Sequence, residues 1–426
     1  MKGGTLSALR EPLWVRYRDD IIRVAVAILA CLALLWIAYE SFRFARQPAQ
    51  LAGRPIHPGA FDLKGLRDLS QRWFRGEPIY ARFNSATYPP ASYALLWPLV
   101  GWATLGATML VWTVTAAACL AALVRISVTA SGAQTRPERA LIALVPLAMY
   151  ATGATIGNGQ ITIHVMALTA ATLVCLKPEG RSISRGRLAA LFFLGALVKP
   201  VLSAPFYWIV LFVPGNLWPA ALVVLGYAGV TVIAASFQGG GLMSLLSEWL
   251  ARGVAMGATA GESNLHIWLS RLGFAWGILP ASLLVLGMLG AWVYRHRRGD
   301  LWILAGVTAS VARFWAYHRW YDDLLLLFPL VALFRIAKTS RQDSTTGTWA
   351  GFLFAFTLAS TLAPGGLYLL PDPWRQAYLL SQTVVWSGAL VFLIVIARAG
   401  NHVDTLVAGL ANEVDGGNMG QPSRSR

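Results

Sequence analysis

Residues 24–39 read VAVAILACLALLWIAY, a run with no charge, no proline and no glycine. Widened to about 22–42, it is long enough for a helix that crosses a hydrocarbon layer, which takes roughly 20 residues. Arg10, Arg16, Arg18 and Arg23 precede it, and Glu40-Ser41-Phe42-Arg43 follow. A cleaved signal segment ends on small residues instead, so the run is expected to stay as a first spanning helix. Working outward, similar runs recur as far as Ala397, and no long polar stretch separates them. Of 426 residues, 56% are hydrophobic and 13% charged, about half the charge of a soluble domain. The expected fold is all-α: a polytopic integral membrane protein, one membrane domain over residues 1–400, with 401–426 a cytoplasmic tail lacking fixed structure.

About a dozen spans are predicted, near 22–42, 106–125, 140–155, 160–176, 188–200, 201–215, 218–237, 277–294, 301–316, 321–336, 348–364 and 377–397. The stretch Leu188–Val213 could be one kinked helix or two segments meeting at Lys199-Pro200. Cytoplasmic links hold the excess of Lys and Arg. With the N-terminus inside and two segments at Lys199-Pro200, four basic links fall inside. These carry Arg125, Arg136 and Arg139; Lys177, Arg181, Arg185 and Arg187; Arg295, Arg297 and Arg298; and Arg335, Lys338 and Arg341. The tail from Arg398 also falls inside. The same parity makes Ala91–Val100 re-entrant or interfacial rather than spanning, in keeping with Pro89, Pro90 and Pro98.

One link breaks the charge rule. The outer segment 43–88 holds Arg43, Arg46, Arg54, Lys64, Arg67, Arg72, Arg75 and Arg82 against Asp62, Asp68 and Glu77. Lipid phosphate would satisfy these cations; so would a phosphate-bearing substrate. The net charge of +16 is spread over links rather than gathered in a stripe, which speaks against nucleic acid as a partner. Membrane lipids are the expected surroundings.

The unusual polar residues collect on the outer side. After Pro58, Leu63, Leu66, Leu69, Trp73 and Phe74 recur at helical spacing, predicting an amphipathic helix lying in the interface. Asp62 stands at its start, either as an N-cap or as a general base near the membrane surface. Asp68 is expected to pair with Arg72 at i+4. Gly157-Asn158-Gly159-Gln160 offers flexible backbone and two amides, or a plain turn. Lys199 snorkels to the interface or holds a phosphate. The cluster from Arg313 to Asp323 (RFWAYHRWYDD) has the aromatics of an interfacial belt, with more charge than a belt requires. His266 reads as a weaker candidate. Cys31, Cys119 and Cys175 sit in apolar runs and suggest neither a disulfide nor a metal site. No P-loop, dinucleotide fingerprint or zinc motif is present, so no cofactor is implied; the pair Asp322-Asp323 alone leaves metal dependence open.

In order, these motifs resemble glycosyltransferase family 87, polyprenyl-phosphate-mannose-dependent α-mannosyltransferases of the GT-C class. The resemblance rests on Asp62 in the first outer loop, Gly76-Glu77-Pro78-Ile79-Tyr80, Tyr88-Pro89-Pro90, Gly159-Gln160, Lys199-Pro200, Asn264 with Arg271, and His318. It spans about residues 20–335. It implies a GT-C-like bundle in a bacterial-type plasma membrane, with 43–90 as the outer catalytic loop. It also implies a hexosyltransferase moving a sugar such as mannose from a polyprenyl-phosphate donor to a glycolipid or glycan acceptor. Asp62 would then be the catalytic base. Tyr88, Gln160, Lys199, Asn264, Arg271, Arg313 and His318 would bind substrate, with Lys199 and His318 or a nearby arginine on the lipid phosphate. A transporter or lipid flippase is the competing expectation; it would show inverted repeats or paired broken helices, and only Lys199-Pro200 suggests one. A non-catalytic scaffold leaves Lys199 and the charged outer loop without a purpose.

Overall fold

The computed structural model describes residues 13–46, 50–51, 54–55, 59–176, 182–215, 217–259, 263–340 and 344–416. Arg10, Lys177, Arg181 and Arg341, counted above in the charge asymmetry, lie outside them. The described chain is helical apart from turns and one antiparallel pair of two-residue strands, Gln50–Leu51 with Arg54–Pro55.

Helix α1 runs Leu13–Ala45. The amphipathic stretch forms α2, Phe61–Phe74, with Leu63, Leu66, Leu69 and Trp73 buried along one face as the spacing requires. Short helices α3 (Ile79–Arg82) and α4 (Pro90–Leu96) follow, and α4 passes into a π turn at Trp97–Gly101. These twelve helical residues from Pro90 extend only about 18 Å, well short of a hydrocarbon core of about 30 Å. Then come α5 (Leu105–Ser131), α6 (Arg136–Ala148), α7 (Tyr150–Asn158), α8 (Thr162–Leu176) and α9 (Ile183–Ala196). The region after Lys199 is α10 (Pro200–Ser203), a 3-10 turn and α11 (Tyr207–Phe212). The remainder is α12 (Trp218–Ala235), α13 (Leu242–Thr259), α14 (Leu265–Arg271), α15 (Ile278–His296), α16 (Leu301–Trp315), α17 (Leu327–Thr339), α18 (Thr345–Thr361), α19 (Gly366–Leu369) and α20 (Trp374–Gly416). Helix α20 carries helical structure to residue 416, into the segment expected to be an unstructured tail.

Among the described residues, five helices are long and apolar enough to cross a membrane: Asp20–Ala45, Leu105–Ser131, Trp218–Ala235, Ala275–His296 and Trp374–Ala399. The other seven expected spans fall on shorter or broken helices, so length alone does not support a dozen. The breaks have local causes. Pro146 interrupts the backbone ladder of α6, and Met149 turns extended between α6 and α7. The freed Ala148 carbonyl accepts the Ala363 N–H at 2.9 Å, as a buried backbone acceptor requires. At Lys199-Pro200 the chain breaks into two segments, one of the two alternatives.

Large apolar side chains on the long helices face outward. Leu34 and Leu35 on α1 are 72% and 70% exposed, and Leu225, Leu284 and Val384 are comparably bare. Such faces suit lipid as the solvent. Inside, Tyr150, Phe193, Phe206, Leu324 and Phe328 form a continuous buried core. A smaller core under α2 is centred on Trp73, which stacks on Tyr93 at 4.8 Å and donates to the Ala234 carbonyl.

Ion pairs gather the short basic links at one end of the bundle. Lys338 meets Glu138 at 2.5 Å, and Arg335 meets Asp300 at 2.8 Å. The starts of α2 and α8 and the end of α7 meet at the other end. There Gly157 is crowded: a Cβ would stand 1.8 Å from Glu40 Oε2 and 2.3 Å from Arg43 Nη2, so those side-chain ends would have to shift. This contact lets Arg43 bridge Glu40 (2.6 Å) and Asn158 (2.9 Å), keying α1 to α7.

On α2 the expected Asp68–Arg72 pair does not form. Arg72 turns to Glu77 at 2.8 Å and lies over the Phe83 ring, while Asp68 stays exposed beside Arg67. The turn after α2 brings Glu77 back within reach, and a surface carboxylate gains little from a competing pair.

Candidate active site

Helix α9 stops before Pro200, which cannot continue a helix. Lys199 stands at the N-cap of α10, and its side chain turns inward, 7% exposed. Its Nζ donates to Asp322 Oδ1 at 2.5 Å and to Thr162 Oγ1 at 3.3 Å, and sits 4.7 Å from the centre of the Tyr321 ring. Asp322 is buried on the 3-10 turn Trp320–Leu326. Its Oδ1 also accepts from Thr162 Oγ1 at 3.1 Å, and its Oδ2 accepts the Arg319 backbone N–H at 3.1 Å. The carboxylate is thus fully hydrogen-bonded, as a buried charge requires.

The neighbouring Asp323 faces the other way. It accepts from the Tyr150 hydroxyl and from Arg313 Nε. Arg313 lies over the Trp386 ring at 5.1 Å, and Gln382 Nε2 donates to Tyr150 Oη at 3.2 Å. Two adjacent carboxylates therefore serve two layers: Asp322 holds Lys199, and Asp323 ties the turn to α7, α16 and α20.

Asp62 is the second residue of α2, so it is not the N-cap. Ala60 occupies that place in the left-handed region (φ 55°), makes no side-chain cap, and donates its N–H to the Gly157 carbonyl at 2.9 Å. That anchor sets Asp62 beside Gln160. The Gln160 Oε1 accepts the Ile161 N–H at 3.2 Å, which leaves its amide N–H groups for the Asp62 carboxylate. Burial raises the pKa of Asp62 above the usual carboxylate value, against the Gln160 hydrogen bond and the charges of Lys199 and Arg319.

Tyr88 is half-buried. Its carbonyl accepts from Tyr80 Oη at 2.7 Å, while its own hydroxyl has no hydrogen-bond partner among the described residues. Burial first, then Asp322 and Asp62, hold that phenol protonated. His318 is fully buried, with Nδ1 2.7 Å from the Ala316 carbonyl and Nε2 without a partner among the described residues. Arg319 is exposed; its Nε donates to the Tyr317 hydroxyl, and its guanidinium acts electrostatically on Asp62.

The structure therefore brings Asp62, Tyr88, Gln160, Lys199 and His318 around Asp322. Arg313 sits behind them, committed to Asp323. Asn264 and Arg271 are not drawn into the group. Asn264 caps α14, its Oδ1 accepting the Ile267 N–H at 3.0 Å, and Arg271 is exposed at the far end of that helix. His266 is tied to Ser282 Oγ at 2.6 Å and packs edge-on against Trp315, a structural role. Sequence reasoning missed Asp322 as the partner of Lys199 and missed Thr162; it held Arg319 and Tyr321 within the Arg313–Asp323 cluster without singling them out. The carboxylate pair was visible in the aromatic cluster, but nothing local marked which member faces inward to Lys199.

A family model described as glycosyltransferase family 87 matches residues 86–323, more than half of the chain. The match takes in Tyr88, Gln160, Lys199, His318 and both Asp322 and Asp323, and begins after Asp62. No curated protein and no solved structure matches the chain.

Proposed function

The chain belongs to glycosyltransferase family 87, and on that premise we propose that it transfers a hexose such as mannose from a polyprenyl phosphate to an acceptor hydroxyl at the non-cytoplasmic face. The observation that carries this reading is the position of Asp62. A carboxylate of raised pKa stands at the edge of a cluster that also holds the cations Lys199 and Arg319.

Each group has a chemical task. Asp62 takes the proton of the acceptor hydroxyl as its oxygen attacks the anomeric carbon. The bond from that carbon to the phosphate oxygen breaks on the opposite face, so the anomeric centre inverts and polyprenyl phosphate leaves. Gln160 keeps the Asp62 carboxylate aimed. Arg319, exposed and free of a carboxylate partner in the cluster, meets the phosphate first; Lys199 adds positive potential from below, through its link to Asp322. The bare apolar faces of the long helices leave the isoprenoid chain in lipid while its phosphate reaches the cluster. Glycolipid or glycan acceptors approach over the charged segment around α2.

The test is transfer by purified protein in proteoliposomes supplied with polyprenyl-phosphate mannose and a glycolipid acceptor. Asp62→Asn should lower the rate by roughly 100-fold or more with unchanged helix content and thermal midpoint. Wild-type transfer by that variant would remove Asp62 from the chemistry. Mass spectrometry of lipid-linked and envelope glycans, with and without the protein in cells, would identify the product and thus the sugar.

A further inference from the structure

Two buried polar atoms near Asp322 have no hydrogen-bond partner among the described residues: His318 Nε2 and Tyr88 Oη. Asp322 is close enough to act electrostatically on both. A buried polar atom left unpaired destabilises the fold, and native interiors pair most of their buried polar atoms. A ligand that supplies both bonds recovers that cost.

The two atoms have opposite characters. His318 Nδ1 lies 2.7 Å from the Ala316 carbonyl, which can only accept, so Nδ1 carries the hydrogen. The ring is sealed, and burial draws its pKa down to about 3, with Arg313 and Lys199 acting in the same direction and Asp322 and the Ala316 carbonyl opposing. The imidazole is therefore neutral, and Nε2 presents a lone pair. A lone pair repels phosphate oxygen. The Tyr88 phenol keeps its proton and can donate. One acceptor and one donor within the field of the same carboxylate, Asp322, suit the recognition of a polyhydroxyl group.

We propose that His318 Nε2 and Tyr88 Oη form the seat of the donor's sugar, His318 accepting from a sugar hydroxyl and Tyr88 donating to a sugar oxygen, with the phosphate left to Arg319 and Lys199. This rests on the glycosyl-transfer reading, and it assigns His318 to the sugar rather than to the phosphate that the family resemblance implies.

The experiment compares binding of two lipids to purified protein in nanodiscs: polyprenyl-phosphate mannose, and the same polyprenyl phosphate without sugar. His318→Leu should weaken the sugar-bearing lipid roughly 10- to 100-fold and leave the sugar-free lipid within about two-fold. His318→Gln, which places an amide oxygen near the position of Nε2, should restore most of the difference; Tyr88→Phe should repeat the loss more weakly. Equal loss on both lipids in His318→Leu would return His318 to the phosphate, and no loss on either would make it structural; each overturns the seat. Should His318→Leu fail to fold, wild-type protein and singly deoxygenated mannosyl donors decide: at least one deoxy position must bind about ten-fold more weakly, and an even series overturns the proposal. Wild-type protein that binds neither lipid refutes the donor class itself, and the seat with it, which separates that failure from the others.

Discussion

Lys199 Nζ and Asp322 Oδ1 lie 2.5 Å apart, although 123 residues separate them in the chain. The lysine neither snorkels to water nor stands as a lone point charge. It is half of a buried ion pair, with Thr162 bonded to both partners. Removing one partner leaves the other charge buried alone, which costs about 3–5 kcal/mol. Lys199→Met should therefore lower the thermal midpoint in detergent sharply, and Asp322→Leu alone should do the same. The double variant should lose much less than the sum, because no charge is stranded. Additive losses on thermal unfolding would show that the pair is not coupled.

With Asp62 as the proposed base, its raised pKa should set the acid side of the pH profile. A base must be deprotonated to accept a proton, so transfer should rise with pH through a value above the ordinary carboxylate range. Gln160→Leu removes a hydrogen bond that favours the charged form, and Arg319→Gln removes a favourable charge. Both variants should move the rising limb to higher pH. A limb that stays in place in both would separate the observed titration from Asp62.

Gly157→Ala tests the anchor that the start of α2 makes on α7. The added methyl would meet Glu40 Oε2 at 1.8 Å and Arg43 Nη2 at 2.3 Å, and overpacking of this kind costs about 1–3 kcal/mol. Because the Gly157 carbonyl receives the Ala60 N–H, the shift is passed to Asp62 two residues on. The turnover rate should fall at least about ten-fold while the donor KM changes little. A variant that loses only stability would show that Asp62 does not depend on this contact.

Behind the site, Tyr150→Phe removes one hydroxyl from Asp323 and leaves Arg313 in place. Hydrogen bonds to charged groups contribute about 1.5–3 kcal/mol, so the thermal midpoint should drop by a corresponding amount. Gln382→Leu should cost less, since Gln382 reaches Asp323 only through Tyr150. Neither change should alter the donor KM, and a KM shift in either would place this layer against the substrate.

The local content of the sequence carried a large part of this protein. Charge-free runs such as 24–39 mark the membrane helices, because lipid leaves an isolated backbone no partner but itself. The spacing of Leu63, Leu66, Leu69 and Trp73 marks α2 and its buried face. Asp62, Gln160, Lys199 and His318 stand out as polar residues among apolar ones, and the structure gathers all four. The tertiary structure alone decided which carboxylate answers Lys199, that Arg313 is spent on Asp323 while Arg319 stays exposed, and that Asp62 enters the helix two residues past its cap. It also decided that Asn264 and Arg271 belong to a separate short helix. The ion pairs among these outcomes join residues 10 and 123 positions apart. Helical periodicity reaches only three or four residues along the chain, so it carries the faces of single helices and no information about which faces meet.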